Sequence, residues 1–159
     1  MIKKIYISYF YQIRYMKPNM LPVSTAAWDP KWYHNPYFFY DRNGVYNGSR
    51  IDILVCPKNV FESLPENARC DTNCPVLNKD DKNRDMCPFE KAYYQYLSFL
   101  KFKTVLKALE RKTILVPGID TIVLLVHEPP YKRCAERVVL QKWFADNGYT
   151  LEEWNPNEI

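Results

Sequence analysis

The clearest pattern in the chain is the run Thr121 to Val126, Thr-Ile-Val-Leu-Leu-Val, with no polar alternation. An unbroken apolar run of this length predicts a central strand covered on both faces. Near the start, Ile5-Tyr6-Ile7 between Lys4 and Ser8 is rich in β formers and predicts a first strand, and Leu21-Pro22-Val23-Ser24 predicts a short second one. Helical spacing appears in three places. Pro88 suits the first turn of a helix in which Phe89, Tyr93, Tyr96 and Leu97 recur on one side, followed by Leu100. A second helix begins near Lys103, with Val105, Leu106 and Leu109 as its apolar face. A third runs from Cys134 to Asp146, buries Val139, Leu140, Trp143 and Phe144, and stops at Asn147-Gly148 as a left-handed cap. Tyr149 to Trp154 reads as a last strand. Strand, helix, strand over 121–154 is a βαβ unit, which predicts a parallel pair joined by a right-handed crossover.

The remaining segments lack a clean period. Residues 28–49 hold Trp28, Trp32, Tyr33, Tyr37, Phe38, Phe39 and Tyr40, interrupted by Pro30, Pro36 and Asn43-Gly44. They predict a long ordered loop with a hairpin at Asn47-Gly48. Arg50 to Cys56 reads as a short strand stopped by Pro57, and about 65–87 as a polar, Cys-bearing insertion. With no repeat and no low-complexity linker, the chain reads as one α/β domain over 1–159. Its expected architecture is a three-layer sandwich around a short, mostly parallel, Rossmann-like sheet.

Composition narrows this picture. At 159 residues one domain can bury a core without disulfides, and 47% hydrophobic with 25% charged residues excludes a disordered chain. Aromatic residues reach 16%, with 13 Tyr, which suits either a ring-rich core or a stacking surface for flat ligands such as nucleobases. The net charge of +4 permits an anionic ligand without demanding nucleic acid. No stretch approaches the ~20 apolar residues of a membrane span, and Lys3-Lys4 replaces any signal-peptide core, so the expectation is a cytoplasmic protein with no membrane partner. In that compartment five Cys, an odd number, read as thiols or metal ligands.

Candidate chemistry gathers at the carboxyl ends of the strands, where open α/β sheets take their ligands. Those ends carry Ser8-Tyr9, Ser24-Thr25 and His127-Glu128. The third helix aims its N-terminal dipole at the same rim, and Arg133 and Arg137 add two guanidiniums, which together suggest an anion pocket. Glu136 lies one turn ahead of Val139 and Leu140, so its carboxylate should face inward near His127 and Glu128. It can orient a ribose hydroxyl, act as general acid or base, or pair with Arg137. Glu136 and His127 are thus the catalytic candidates. Ser8, Ser24, Glu128, Arg133 and Arg137 are the ligand-binding ones, with Trp28, Trp32 or Tyr33 closing over a flat ring. The plainer alternatives are an acid that merely favours the helix dipole, an arginine paired with it, and a histidine held by structural hydrogen bonds.

Cys70, Cys74 and Cys87 lie in a stretch too poor in apolar residues to order itself, so a metal is a natural staple. Cys134 would complete a tetrahedral set, with Cys56 in reserve. The spacing matches no standard finger. Zinc is the first expectation and an iron–sulfur cluster the second, against free cysteines in a loop.

Three stretches resemble a known family: Ile5-Tyr6-Ile7-Ser8-Tyr9-Phe10, Leu21-Pro22-Val23-Ser24 and Pro30-Lys31-Trp32-Tyr33. They are similar to the start of the proteins grouped as domain of unknown function 488. That family's end has an apolar strand, a Glu-Pro-type turn, a Cys-His-Arg-like helix start, a Trp-aliphatic pair and a Gly before the last strand. Val123-Leu124-Leu125-Val126-His127-Glu128-Pro129, Arg137, Trp143-Phe144 and Gly148 resemble it, and Cys87-Pro88-Phe89 resembles its middle. Counted back from Trp143, the Cys-His-Arg signature falls on Ala135-Glu136-Arg137, so only the Arg is kept and no cysteine stands where the family has one. The resemblance implies an α/β fold and an important helix start, and it implies no chemistry. The functional expectation is binding or processing of a nucleotide-like anionic ligand at the carboxyl rim. The alternatives are a hydrolase or glycosyl-transfer enzyme on nucleosides or nucleic acid using Glu136, and a nucleic-acid-binding accessory module.

Overall fold

β3 (Thr121–Val126) is buried at every position, as a strand must be when both of its faces are covered. The computed structural model describes residues 1–34, 39–64, 86–130 and 136–156. Within them β1 (Lys4–Tyr9) runs parallel to β3 in the register Lys4↔Thr121 through Tyr9↔Val126. On the other side of β3, β2 (Met20–Ser24) pairs in parallel from Met20↔Thr121 to Ser24↔Leu125. β4 (Glu152–Glu153) adds to the free side of β1 at Tyr6↔Glu152. The order is β2-β3-β1-β4 and every pairing is parallel.

The two-residue alternation of each strand sorts the side chains into two cores. Ile5, Ile7, Leu21, Val23, Ile122, Leu124 and Val126 face a layer of α-helices. That layer comprises α1 (Lys58–Glu62), α2 (Pro88–Ser98), α3 (Phe102–Ile114) and α4 (Glu136–Asp146). Their contributions include Val60, Tyr93, Leu97, Val105, Leu109, Val139, Leu140, Trp143 and Phe144. α2 opens on Pro88 behind a Cys87 N–H that donates to Glu90 Oε1 at 2.9 Å. α4 closes where Gly148 adopts φ +83° and Tyr149 N–H reaches back to the Phe144 carbonyl at 2.9 Å.

Val123 and Leu125 face the opposite way, onto a layer with no α-helix among the described residues. It is built from a 3-10 helix, Phe10–Tyr15, from Ala26 just after β2, and from Tyr33 and Val45 of the aromatic loop. Prolines and the absence of a helical period keep that loop irregular, so polar ties fix it. Tyr33 Oη donates to the carbonyls of Pro22 at 2.9 Å and Ser49 at 2.6 Å. The result is a three-layer, Rossmann-like α/β domain whose third layer is mostly irregular. No helix among the described residues is long and apolar enough to cross a membrane.

Four local expectations are corrected. β3 and β4 are parallel but not hydrogen-bonded to each other, because β1 lies between them. The last strand contracts from 149–154 to Glu152–Glu153. Arg50 makes a single bridge to Ser24, and the chain then coils into a 3-10 turn, Asp52–Leu54, instead of continuing as a strand. The reversal in the aromatic loop is centred on Asp41–Gly44, beneath a Tyr40↔Tyr46 bridge, not on Asn47-Gly48. Asp41 Oδ1 accepts the N–H groups of Asn43 at 2.8 Å and Val45 at 3.1 Å, which is the Asx chemistry that closes such a turn.

One consequence of this connectivity positions the site. From β1 the chain leaves onto the 3-10 face toward β2, whereas from neighbouring β3 it leaves onto the α-helical face toward β4. Adjacent strands whose continuations diverge to opposite faces leave a crevice outside their carboxyl ends.

Candidate functional site at the carboxyl crevice

The crevice lies between the segments that follow β1 and β3, and the first turn of α4 reaches it. Arg137 anchors that turn. Its side chain is only 6% exposed, and its Nε donates to Glu153 Oε1 at 2.6 Å while Nη2 approaches Glu153 Oε2 at 3.4 Å. Nη1 donates to the Glu128 carbonyl, and the guanidinium carbon sits 5.9 Å from the centre of the Tyr9 ring. Arg137 therefore ties α4, β4 and the turn after β3 together. Burial raises the Glu153 carboxyl, and the charge and hydrogen bonds of Arg137 only partly offset this. A guanidinium engaged in this way is a positioning group, which removes it as the principal holder of an anionic ligand.

Glu136, the neighbouring residue, is partly buried. Burial pushes its carboxyl up to about 7, with a further push from the Glu128 charge, against the opposing pull of its own backbone N–H and of Arg137. At neutral pH it is divided between its two protonation states, the condition for a group that gives or takes a proton. Its field also reaches α2 and the segment before α1. The Cys56 thiol is pushed up to about 12, first by burial and then by Glu136, so it stays protonated and inert as a nucleophile. Tyr93, fully buried, donates its hydroxyl proton to the Leu54 carbonyl.

Two buried side-chain oxygens have no hydrogen-bond partner among the described residues, Gln12 Oε1 and Glu128 Oε2. One follows β1 and the other follows β3. The Gln12 amide is oriented by Nε2 donating to Tyr9 Oη at 3.0 Å. Buried acceptors without donors are uncommon enough to require a reason. Replacing Glu128 with Gln removes a neighbouring charge but leaves the burial, so the Glu136 titration should move part of the way down from about 7. A carbon-13 NMR titration of the Glu side chains reads this directly, and an unmoved Glu136 would mean that Glu128 does not sense it.

Among the described residues, the other expected site residues have partners of their own. His127 packs on Trp28 with centroids 4.0 Å apart and ring planes tilted by 34°, lies 4.9 Å from Phe10, and is bonded through Nε2 to the Trp28 carbonyl at 2.6 Å. These partners belong to the loop and 3-10 side, so the ring is a structural element of that layer. Tyr33 is a core residue and cannot close over a ligand, because its ring is buried and its hydroxyl is committed to two carbonyls. Ser8 is buried and donates to the Trp154 carbonyl at 3.4 Å. Ser24 is buried and donates to Asp29. Trp28 and Trp32 are exposed. Cys87 is buried at the start of α2. Cys70, Cys74, Arg133 and Cys134 lie outside the described residues, and among the described residues no three His, Cys, Asp or Glu are grouped to hold a metal.

Several polar groups escaped the pattern of the sequence. Asp29, with a side chain 3% exposed, receives Arg50 Nη1 at 2.6 Å together with the Ser24 hydroxyl and His34 Nε2. Burial alone would raise its carboxyl, but the hydrogen bonds from Ser24, Arg50 and His34 outweigh it and hold the group below its ordinary value. Arg50 Nη2 adds a bond to the Ala26 carbonyl at 2.8 Å. This network clamps the aromatic loop to the end of β2. Away from the crevice, a groove of about 460 Å³ runs beside the 3-10 helix, bordered by Tyr11, Arg14 and Trp32.

No family model matches the chain, and searches for similar curated proteins and for similar solved structures find no match.

Proposed function

We propose that the carboxyl crevice binds a nucleoside-like ligand by its sugar hydroxyls and that Glu136 exchanges a proton with it. The observation that carries this reading is the pair of buried oxygens without a partner among the described residues, Gln12 Oε1 and Glu128 Oε2, one behind each central strand. A carboxylate and an amide oxygen accept hydrogen bonds, so their missing partners are donors. Vicinal hydroxyls supply two donors at once. A phosphate supplies none, and it would meet Glu128, Glu136 and Glu153, with the buried Arg137 guanidinium already engaged. The sugar end of the ligand, rather than an anionic end, belongs in this crevice.

The chemistry that follows is hydrolysis or transfer at the glycosidic bond. Protonated Glu136 gives its proton to the departing base as the carbon–nitrogen bond breaks, water or an acceptor hydroxyl forms the new bond to the sugar carbon, and the proton that this oxygen sheds returns to the Glu136 carboxylate.

The test is a thermal-shift panel of nucleosides, nucleoside diphosphate sugars and free pentoses. Sugar-bearing compounds should raise the melting temperature, and Gln12→Leu or Glu128→Gln should abolish the rise. Ligand at a hundred times its Kd contributes about 2.7 kcal/mol, which is readily seen. Glu136→Gln should still bind but turn nothing over. Equal turnover by that variant removes the proton-transfer role, and a flat panel removes the site.

A further inference from the structure

A 3-10 helix repeats every three residues, so side chains at i and i+3 eclipse one another. In the Phe10–Tyr15 helix this puts Arg14 directly on Tyr11, with its guanidinium carbon 3.6 Å from the centre of the ring and its Nε on the Tyr11 carbonyl at 3.1 Å. Neither Nη nitrogen of Arg14 has a partner among the described residues. Across the groove, Asn43 Nδ2 grips the Arg14 carbonyl at 2.8 Å and fixes the Asp41–Gly44 turn against the helix. The tip of that turn presents Arg42, exposed and without an ion pair among the described residues. The one acid of the groove, Asp41, commits its oxygens to Asn43 and Val45 N–H and to Asn47 Nδ2 at 3.4 Å. At the groove's edge Trp32 is 54% exposed and meets the rings of Phe10 and Tyr33 at 90° and 88°, so neither ring stacks on the indole.

We infer that this groove binds single-stranded nucleic acid, with an unpaired base stacked on Trp32 and its flanking phosphates on Arg14 and Arg42. An open aromatic face beside two guanidiniums, Arg42 and an Arg14 whose outer nitrogens have no partner among the described residues, matches the alternation of base and phosphate along a strand. The row of rings continues out of the groove to Tyr15, half exposed and 6.4 Å from Tyr11, which favours a strand over a lone mononucleotide. The site is separate from the crevice and does not rest on the proton chemistry proposed there.

The experiment is fluorescence anisotropy with a labelled 12-nucleotide strand, titrated with wild-type protein, Trp32→Ala, and an Arg14→Gln/Arg42→Gln double variant. Trp32→Ala should weaken binding by about tenfold, within the range of one base–aromatic stack. The arginine pair should flatten the slope of log affinity against log salt by about 1.4, from two phosphate contacts to a single strand at ~0.7 each. Both arginines are exposed, so the double variant folds and keeps the test decisive if Trp32→Ala does not. Glu136→Gln should bind the strand as the wild type does. Absence of strand binding at low salt, equal binding by the arginine variant, equally tight binding of duplex, or competition by a mononucleotide at equal concentration would each overturn the proposal.

Discussion

Arg137→Ala should cost about 3–5 kcal/mol of stability, the loss typical when one partner of a buried pair is removed. The Glu153 carboxylate would be left three-quarters buried without its cation, and the Glu128 carbonyl would lose its donor. Stability read by urea unfolding should show this as a lowered midpoint with an unchanged slope. The companion experiment separates the pair from the packing. Glu153→Gln leaves an uncompensated guanidinium and should also destabilise, whereas Arg137→Met with Glu153→Gln should be much milder than the sum, since neither charge is then stranded. Arg137→Lys keeps the charge but loses the two-nitrogen grip on Glu153 and should fall in between. A loss below about 1 kcal/mol for Arg137→Ala would mean that the pair behaves like a solvated surface bridge.

The second large effect is on the pH profile. The Glu136 carboxyl ionises near 7 in the folded protein and near its ordinary 4.5 when unfolded, so between these values the folded state holds more protons. Stability therefore falls as pH rises through that window, and the fall is complete above about 7. Glu153, also raised by burial, acts in the same direction. Each pH unit between the folded and unfolded ionisations is worth about 1.36 kcal/mol, so the loss due to Glu136, reduced by its remaining contact with solvent, is on the order of 2 kcal/mol. Wild-type protein should be more stable at pH 5 than at pH 8.5, and Glu136→Gln should be flatter and more stable at the alkaline end. Asp29 pulls the other way, but only as pH falls toward its lowered value, below the tested range. Parallel profiles for the two proteins would show that Glu136 ionises in the folded state as it does in the unfolded one.

The elements with a strong period were readable from the sequence. Thr121–Val126 announced a doubly covered strand because its neighbours on both faces are apolar layers, and α4 announced its buried face through Val139, Leu140, Trp143 and Phe144. Pairing order was not readable, since a βαβ reading specifies parallel strands without saying what lies between them, and here β1 does. The six-residue 3-10 helix after β1 was missed because two turns are too short to show a period. At the crevice, the sequence indicates that Glu136 and Arg137 share a helix start. It does not indicate that Arg137 reaches a glutamate sixteen residues later, since that contact exists only through the β4 register. Gln12 has no pattern at all, and its interest comes from an unanswered carbonyl in three dimensions.

The strand order has a consequence for how the molecule forms. β1 and β2 never touch as a pair, and the strand that joins them is β3, more than a hundred residues after β1 began. Apart from it, among the described residues, β1 pairs only with the still later β4, and β2 makes only the single bridge from Ser24 to Arg50. None of these strands can pair with another until residue 121 is present, so a nascent chain carries two unmatched edges through most of its synthesis. Pairing at such separation pays its loop entropy before it gains any ladder energy, which makes assembly slow and leaves those edges open to wrong neighbours. β3 is thus the piece that joins β1 to β2, and β4 comes after it in the chain to cover the remaining side of β1.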